Sequence, residues 1–173
     1  LLDYDYNSLF LNHDNVGKKL KHPTIDIWWS GWGRNLSLAL NIIRHLLITD
    51  SWSRSSIRVL ILVSADEDTE RVYQSLRAIL HEYRIQAEIR VLQGTIGQSP
   101  QQIIGSESSA RDLTIVGIPD IRYDDLEATY EYVTHICQQL KTALFINASS
   151  GHEEHTVLGS AVSTFKEKGE WVL

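Results

Sequence analysis

The feature that most constrains this sequence is a nearly continuous run of branched apolar residues over Ile57–Val63. Only Arg58 interrupts it, so the run does not alternate between apolar and polar positions. A strand of this kind is typical of the centre of a parallel sheet, where both faces are covered. Leu113–Ile118 has the same character and ends at Pro119. Two such strands predict an α/β fold with helices packed on both faces of the sheet.

Apolar residues at helical spacing predict helices between the strands. The first helix is predicted after Asn35, which is expected to cap it, and the second after a capping box of Ser64 and Glu67. A short third helix is predicted around Gln101–Ser108. The apolar face of the first helix is Leu36, Leu40, Ile43 and Leu47. That of the last helix is Leu126, Tyr130, Val133, Cys137 and Leu140.

Three further strands complete the predicted sheet. They are Ile25–Trp29, Ala87–Val91 and Ala143–Ala148. The middle one alternates apolar and charged residues, which indicates a half-exposed edge strand. The whole pattern predicts a doubly wound, five-stranded parallel sheet with the strand order 3-2-1-4-5. We expect one α/β domain over residues 23–150, with a linker or the tail of a preceding subdomain over 1–22 and a C-terminal extension over 151–173.

The composition argues against several classes of function. A net charge of −6 and a pI near 5.6, without a stripe of Lys or Arg, argue against nucleic-acid binding. Cys137 is the only cysteine, so neither an internal disulfide nor a multi-cysteine zinc site is predicted. No apolar run approaches the roughly 20 residues of a membrane span, so we expect no direct membrane insertion. The sequence contains no methionine, which favours a segment of a longer protein or a chain whose modified methionines are not represented.

Two glycines, Gly31 and Gly33, lie at a strand-to-helix turn, where a dinucleotide-binding fingerprint has its first glycines. Leu36 stands where that fingerprint needs a third glycine, so no cofactor is predicted. The crevice at the carboxyl ends of the strands is nevertheless the usual ligand site of such sheets. Here Gly31, Gly33, Asp66 and Asp120 would line it.

The sequence contains no complete catalytic or metal-binding motif of the zinc-protease or serine-hydrolase kind. His152 and His155 are three residues apart, whereas the helical zinc signature needs two histidines four residues apart. No serine lies in a Gly-x-Ser-x-Gly motif. Asp26 has no base or nucleophile nearby in the sequence, and it needs a hydrogen-bond partner if it is buried. We therefore predict no catalytic residue, no metal site and a protein that is not an enzyme.

Aromatic surface is concentrated at Trp28, Trp29 and Trp32. One hypothesis is that these side chains pack in the core beneath the helices, since alternate residues of a strand point to opposite faces. The other is that one of them packs across an interface with a second copy or against a neighbouring subdomain, because aromatic residues are enriched at such contacts. Leu40 and Leu47, from the unusually wide apolar surface of the first helix, would join this candidate interface.

A set of short motifs along the chain carries a family resemblance. Thr24–Trp29 (TIDIWW) is followed by Gly31 and Gly33, a leucine-rich helix, Arg58 in an apolar strand, and Tyr83–Ile89 (YRIQAEI). Over residues 24–148 this order resembles the cytosolic C-terminal domain of the cation–chloride cotransporters, in a compact form similar to prokaryotic members. The segments before residue 23 and after residue 151 depart from the pattern.

The resemblance implies a fold related to universal stress proteins. It also implies a parent protein with a membrane domain of the amino acid–polyamine–cation transporter superfamily. The chain would then be a regulatory, dimerising domain at the cytoplasmic face of the cell membrane, attached to a domain that carries out symport of a cation, chloride or an amino acid. The alternative is a stress-protein-like sensor that binds a small ligand or nucleotide in the crevice.

Overall fold

The computed structural model describes residues 5–13, 21–94, 97–118 and 126–158. Its strands are β1 (Ser8–His13), β2 (Thr24–Trp29), β3 (Trp32–Gly33), β4 (Ser56–Val63), β5 (Glu88–Gln93), β6 (Leu113–Gly117), β7 (Thr142–Asn147) and β8 (His155–Thr156). Its helices are α1 (Asn35–Leu47), α2 (Thr69–Glu82), α3 (Pro100–Ser108) and α4 (Leu126–Cys137).

The central sheet has six strands in the order β1-β7-β6-β2-β4-β5. All neighbouring pairs are parallel except β1 and β7, which are antiparallel. The predicted α/β fold with a mainly parallel sheet is therefore confirmed. The predicted number of five strands is wrong, because residues 8–13, expected in a linker or the tail of a preceding subdomain, add a strand at one edge. A separate two-stranded sheet pairs β3 with β8.

Helices cover the two faces of the sheet in pairs. Ile25, Ile27 and Trp29 of β2 contribute to a core shared with α1 and α2. Trp28, on the opposite face, packs in a second cluster with residues of α3 and α4 such as Ile104. This division follows from the alternation of side chains along a strand, and β2 at the centre is buried on both sides. Trp28 and Trp29 thus take the core positions that one of the two hypotheses assigned to them, whereas Trp32 is half-buried.

Two helix predictions need correction. The residue that caps α2 is Asp68 rather than Ser64, and its carboxylate accepts hydrogen bonds from the backbone N–H groups of Glu70 and Arg71. In α4 the buried positions are Thr129, Tyr132 and Ile136, while two residues of the predicted apolar face, Leu126 and Tyr130, are exposed. Both sets have helical spacing, so the spacing alone does not decide which face meets the sheet.

The expected domain limits at residues 22/23 and 150/151 do not coincide with breaks in the described structure. Strand β1 pairs with β7 over all six of its residues. Beyond the other limit, β8 pairs with β3, and Val157 is buried in the cluster beneath α1 and α2. Segments from both ends of the described chain are therefore part of the same packed unit.

Candidate functional site

The crevice of this sheet lies where the chain changes direction across β2. The connections from β2 run through α1 and α2 towards β5, whereas α3 and α4 lead through β6 to β7 on the other side. Ligands of open α/β sheets bind at this topological switch point, outside the carboxyl ends of the strands. The segments that meet there follow β2, β4 and β6.

Asn35, the first residue of α1, connects the strand ends at this point. Its side-chain amide donates a hydrogen bond to the carbonyl of Ile118 at 2.8 Å, and its carbonyl oxygen accepts one from the backbone N–H of Ala148 at 2.8 Å. A β-carbon on Gly117 would lie 3.0 Å from the Asn35 side chain, so the strand approaches it closely. The predicted capping role is wrong: the N-cap is Arg34, and its side chain makes no capping hydrogen bond.

We expect Asn35→Ala to destabilise the fold by about 1–3 kcal/mol, because it removes the partners of a backbone carbonyl and a backbone N–H in part-buried positions. The measurement is urea unfolding followed by circular dichroism. Asn41→Ala is the matched control: it makes the same chemical change on the same helix, and alanine's helix propensity keeps its effect within about 0.5 kcal/mol. Equal effects of the two substitutions would show that the Asn35 bridge contributes nothing.

The crevice is closed by residues 153–158, here named the closing segment. The backbone N–H of Val157 donates a hydrogen bond to the carbonyl of Gly31 at 2.9 Å. A β-carbon on Gly31 would lie 2.7 Å from Cγ of Leu158 and 2.8 Å from Cδ1 of Ile61. Leu158 therefore occupies the space directly against the turn after β2. The chain's own apolar side chains therefore cover this turn on its β4 side.

Polar contacts hold the closing segment along α1 and α2. The Ser37 hydroxyl donates to the carbonyl of Glu153 at 2.7 Å, and Tyr83 donates to the Ser37 hydroxyl at 2.9 Å. The ring of His155 packs edge-on against Tyr83, with 5.8 Å between the ring centres. His155 is also buried. Of the two histidines considered for a metal pair, His155 is thus a packing residue of the closing segment itself.

The structure brings only some of the predicted crevice residues together. Gly31 and Gly33 both have positive φ angles, +85° and +86°, in the turn between β2 and α1. Asp66 is exposed in the turn after β4, and a hydrogen bond from Ser64 holds the pKa of its carboxyl below the ordinary value. Asp120 lies outside the described residues.

The predicted interface residues are largely internal. Trp28, Trp29 and Leu40 are buried within the chain, so they offer almost no surface to a partner. Trp28 donates its indole N–H to the hydroxyl of Ser108 at 2.9 Å, which further fixes it in the core. Trp32 and Leu47 are half-buried and retain some exposed surface.

A buried ion network, not predicted from the sequence, lies beneath α3. Asp26 is fully buried and opposite Arg58 in the parallel register of β2 and β4. The Arg58 guanidinium donates two hydrogen bonds to its carboxylate, at 2.8 and 2.6 Å, and the Ser108 hydroxyl donates a third at 2.6 Å. This pairing raises the pKa of Arg58, whereas partial burial opposes the rise. The guanidinium therefore stays charged.

The network continues to the surface through α3. Arg58 donates to the backbone carbonyl of Glu107 at 3.0 Å, and Arg90 of the edge strand β5 donates to the Glu107 carboxylate at 2.7 Å. Arg111 approaches Asp26 to 3.5 Å from the segment before β6. These contacts join the end of α3 to three strands. Because the Asp26 carboxylate is enclosed and already accepts three hydrogen bonds, its role is structural.

The sequence did contain a signal for this network. Asp26 and Arg58 are isolated opposite charges in two otherwise apolar strands, each at the third position of its strand. A buried charge needs a partner of opposite sign, so the two could have been paired once the strands were taken as neighbours. Ser108 and Glu107 carry no comparable pattern, since they are ordinary polar residues at the end of a short helix.

The remaining features of the described residues do not form an evident metal-binding or catalytic site. No group of three His, Cys, Asp or Glu side chains in this part of the chain is arranged to hold a metal ion. A cleft of about 390 Å³ lies between α3 and α4. Its lining residues are Ser99, Gln101, Ala128, Glu131, Tyr132 and His135. Burial raises the pKa of the Tyr132 phenol, which stays protonated at neutral pH.

Comparison with known proteins does not identify a family or a function for this chain. No protein-family model matches the chain, and no curated protein is significantly similar to it. The resemblance to cotransporter domains therefore remains a prediction from the motifs. Within the described ranges, no helix has the length and apolar character needed to cross a membrane.

Proposed function

We propose that this chain is a regulatory and self-associating domain without catalytic activity, attached to a transport domain that resembles the cation–chloride cotransporters. The observation that carries the proposal is the occupied crevice: Val157 and Leu158 lie against the turn after β2, at the end of the sheet where a domain of this architecture binds a small ligand. A domain whose ligand position is filled by its own chain acts through its surface. Its partners are then a second copy and the transport domain at the cytoplasmic face of the membrane.

Two further features support this proposal. The five parallel strands lie in the order β5, β4, β2, β6 and β7, which is compatible with a 3-2-1-4-5 core related to universal stress proteins. Asp26, which is fully buried, is held by Arg58 and Ser108 and makes no contact with solvent, so it is a poor candidate for acid–base chemistry. The link to transport rests on the sequence motifs from Thr24 to Ile89.

A second candidate function is small-ligand sensing, and one observation favours it. Asn35 and Gly117 still meet at the switch point, and the side chain that lies against Gly31 in the neighbouring turn is Leu158. Withdrawal of the closing segment would expose backbone groups that can receive a polar ligand. In this candidate the closing segment and the ligand compete for one position.

Native mass spectrometry distinguishes these functions. We expect the purified chain to be a dimer without a bound small molecule, because Leu158 occupies the crevice. In Leu158→Ala, which shortens that side chain, a sensor would gain a ligand adduct, whereas a surface-acting domain would stay unliganded. A monomer that carries a nucleotide-sized adduct would replace the proposed function with the sensor. The attached transport domain has its own readout: an antibody against this chain should detect a larger polypeptide in membrane fractions of the source cells.

A further inference from the structure

The two edges of the central sheet differ in their protection against pairing with other strands. Edge strand β5 carries Glu88 and Arg90, and Arg90 is held in an ion pair with Glu107. Charged side chains of this kind discourage further strands from pairing with an edge. Strand β1, at the opposite edge, contains no Lys, Arg, Asp or Glu. Its outer side has no strand partner within the described residues.

Strand β1 also exposes apolar side chains on both faces. Leu9, Phe10 and Leu11 are 53%, 54% and 65% exposed, respectively. Phe10 is opposite Phe145 in the register with β7 and extends the face covered by α4. Leu9 and Leu11 alternate with it and extend the face covered by α1. Apolar residues on both faces are typical of a strand with neighbours on each side, not of a sheet edge.

We propose that the outer side of β1 pairs antiparallel with β1 of a second copy, about a two-fold axis at Phe10. In this register Leu9 is opposite Leu11 of the second copy, and Ser8 is opposite Asn12, so apolar residues meet apolar and polar residues meet polar. No like charges face each other across the contact. The backbone N–H and C=O groups of the edge gain partners at the same time.

The sequence of β1 favours a second copy over an unrelated strand. A two-fold contact requires one surface that is complementary to itself. Strand β1 meets this requirement because Phe10 has a leucine on each side, Leu9 and Leu11. The pairing also closes the assembly. It consumes both β1 edges and, among the strands that the structure describes, leaves the two charged β5 edges at the ends of the joined sheet. The product is a dimer and not an open fibre.

This inference rests on the self-association in the proposed function and locates it. The surface differs from the interface predicted from the sequence, whose members Trp28, Trp29 and Leu40 are buried inside the chain. It uses residues 8–13, a segment that the motifs of the family resemblance do not include.

The test is analytical ultracentrifugation of the whole chain and of three variants. Leu9→Lys combined with Leu11→Lys places like charges opposite each other twice across the axis, and we expect dimerisation about 100-fold weaker or more. Leu9→Lys combined with Leu11→Asp places opposite charges at the same two positions, so it should recover most of the association, in a salt-sensitive form. Ile48→Lys, at a residue 80% exposed but outside β1, is the control and should not weaken the dimer.

Thermal unfolding of each variant by circular dichroism establishes that it is folded, which the exposure of the replaced side chains favours. If the wild-type chain is a dimer that the two lysines do not weaken, the β1 contact is overturned, while self-association and the proposed function stand. If the Lys/Asp variant is as weak as the Lys/Lys variant, the antiparallel register is overturned. If the wild-type chain is a monomer, both the β1 contact and the proposed self-association fail.

Discussion

Replacing Arg58 with methionine should destabilise the fold by about 3–5 kcal/mol, since it leaves Asp26 buried without its principal counter-ion. Asp26 is fully buried, and Arg58 supplies two of the three hydrogen bonds to its carboxylate described above. Ser108 and Arg111 remain in the variant, but a hydroxyl and a guanidinium at 3.5 Å do not replace a bidentate pair. The measurement is the free energy of unfolding in urea at neutral pH.

Arg90→Met is the matched control for this prediction. Arg90 pairs with Glu107 at 2.7 Å, but its side chain is partly exposed, so the loss should be below about 1 kcal/mol. The double variant Asp26→Leu, Arg58→Met removes both charges and should be more stable than Arg58→Met alone, because no unpaired charge remains buried. If Arg58→Met costs no more than Arg90→Met, the network does not hold α3 against the sheet.

Gly31→Ala should destabilise the fold by about 2–5 kcal/mol, through two separate causes. The φ angle of +85° costs a residue with a β-carbon about 1–2 kcal/mol. The added methyl group would also lie within 2.8 Å of atoms of Leu158 and Ile61, and overpacking of this kind costs about 1–3 kcal/mol. Urea unfolding again gives the change in stability.

Gly33→Ala separates the two causes of the Gly31 effect. Gly33 has nearly the same φ angle, +86°, but an added β-carbon would meet no atom within 4 Å. Its substitution should therefore cost only the backbone contribution of about 1–2 kcal/mol. Introducing Gly31→Ala into a Leu158→Ala background should remove part of the steric cost and leave the contact with Ile61. Identical losses for Gly31→Ala and Gly33→Ala would show that the closing segment does not press against the turn.

Local patterns predicted a strand or helix correctly where the segment has one possible way of burying its apolar residues. The run at β4 and the shorter one at β6 are apolar almost throughout, and both strands are buried in the sheet. The alternation near Ile89 predicted an edge strand, and β5 lies at an edge. In α4, by contrast, two apolar stripes compete at the same period. Contact with α3 and β7 selects the one that includes Tyr132.

The candidate site was less predictable than the elements that hold it. Gly31 was recognised as a turn glycine, but Leu158, which packs against that glycine, is more than a hundred residues away in the chain. Asn35 has the character of a capping residue, yet its side chain connects the ends of β6 and β7. These contacts depend on which distant segments come together at the carboxyl ends of the strands. The spacing of residues within one segment does not predict that arrangement.

The sequence by itself determined the α/β class and the positions of most strands and helices. Burial on two faces and helical periodicity both follow from the apolar pattern of residues close together in the chain. Only the tertiary structure decided that β1 extends the sheet, that residues 153–158 close the crevice and that Asp26 faces Arg58. These outcomes depend on the register between segments distant in the chain. Register is set by the free energy of the assembled core rather than by any local pattern.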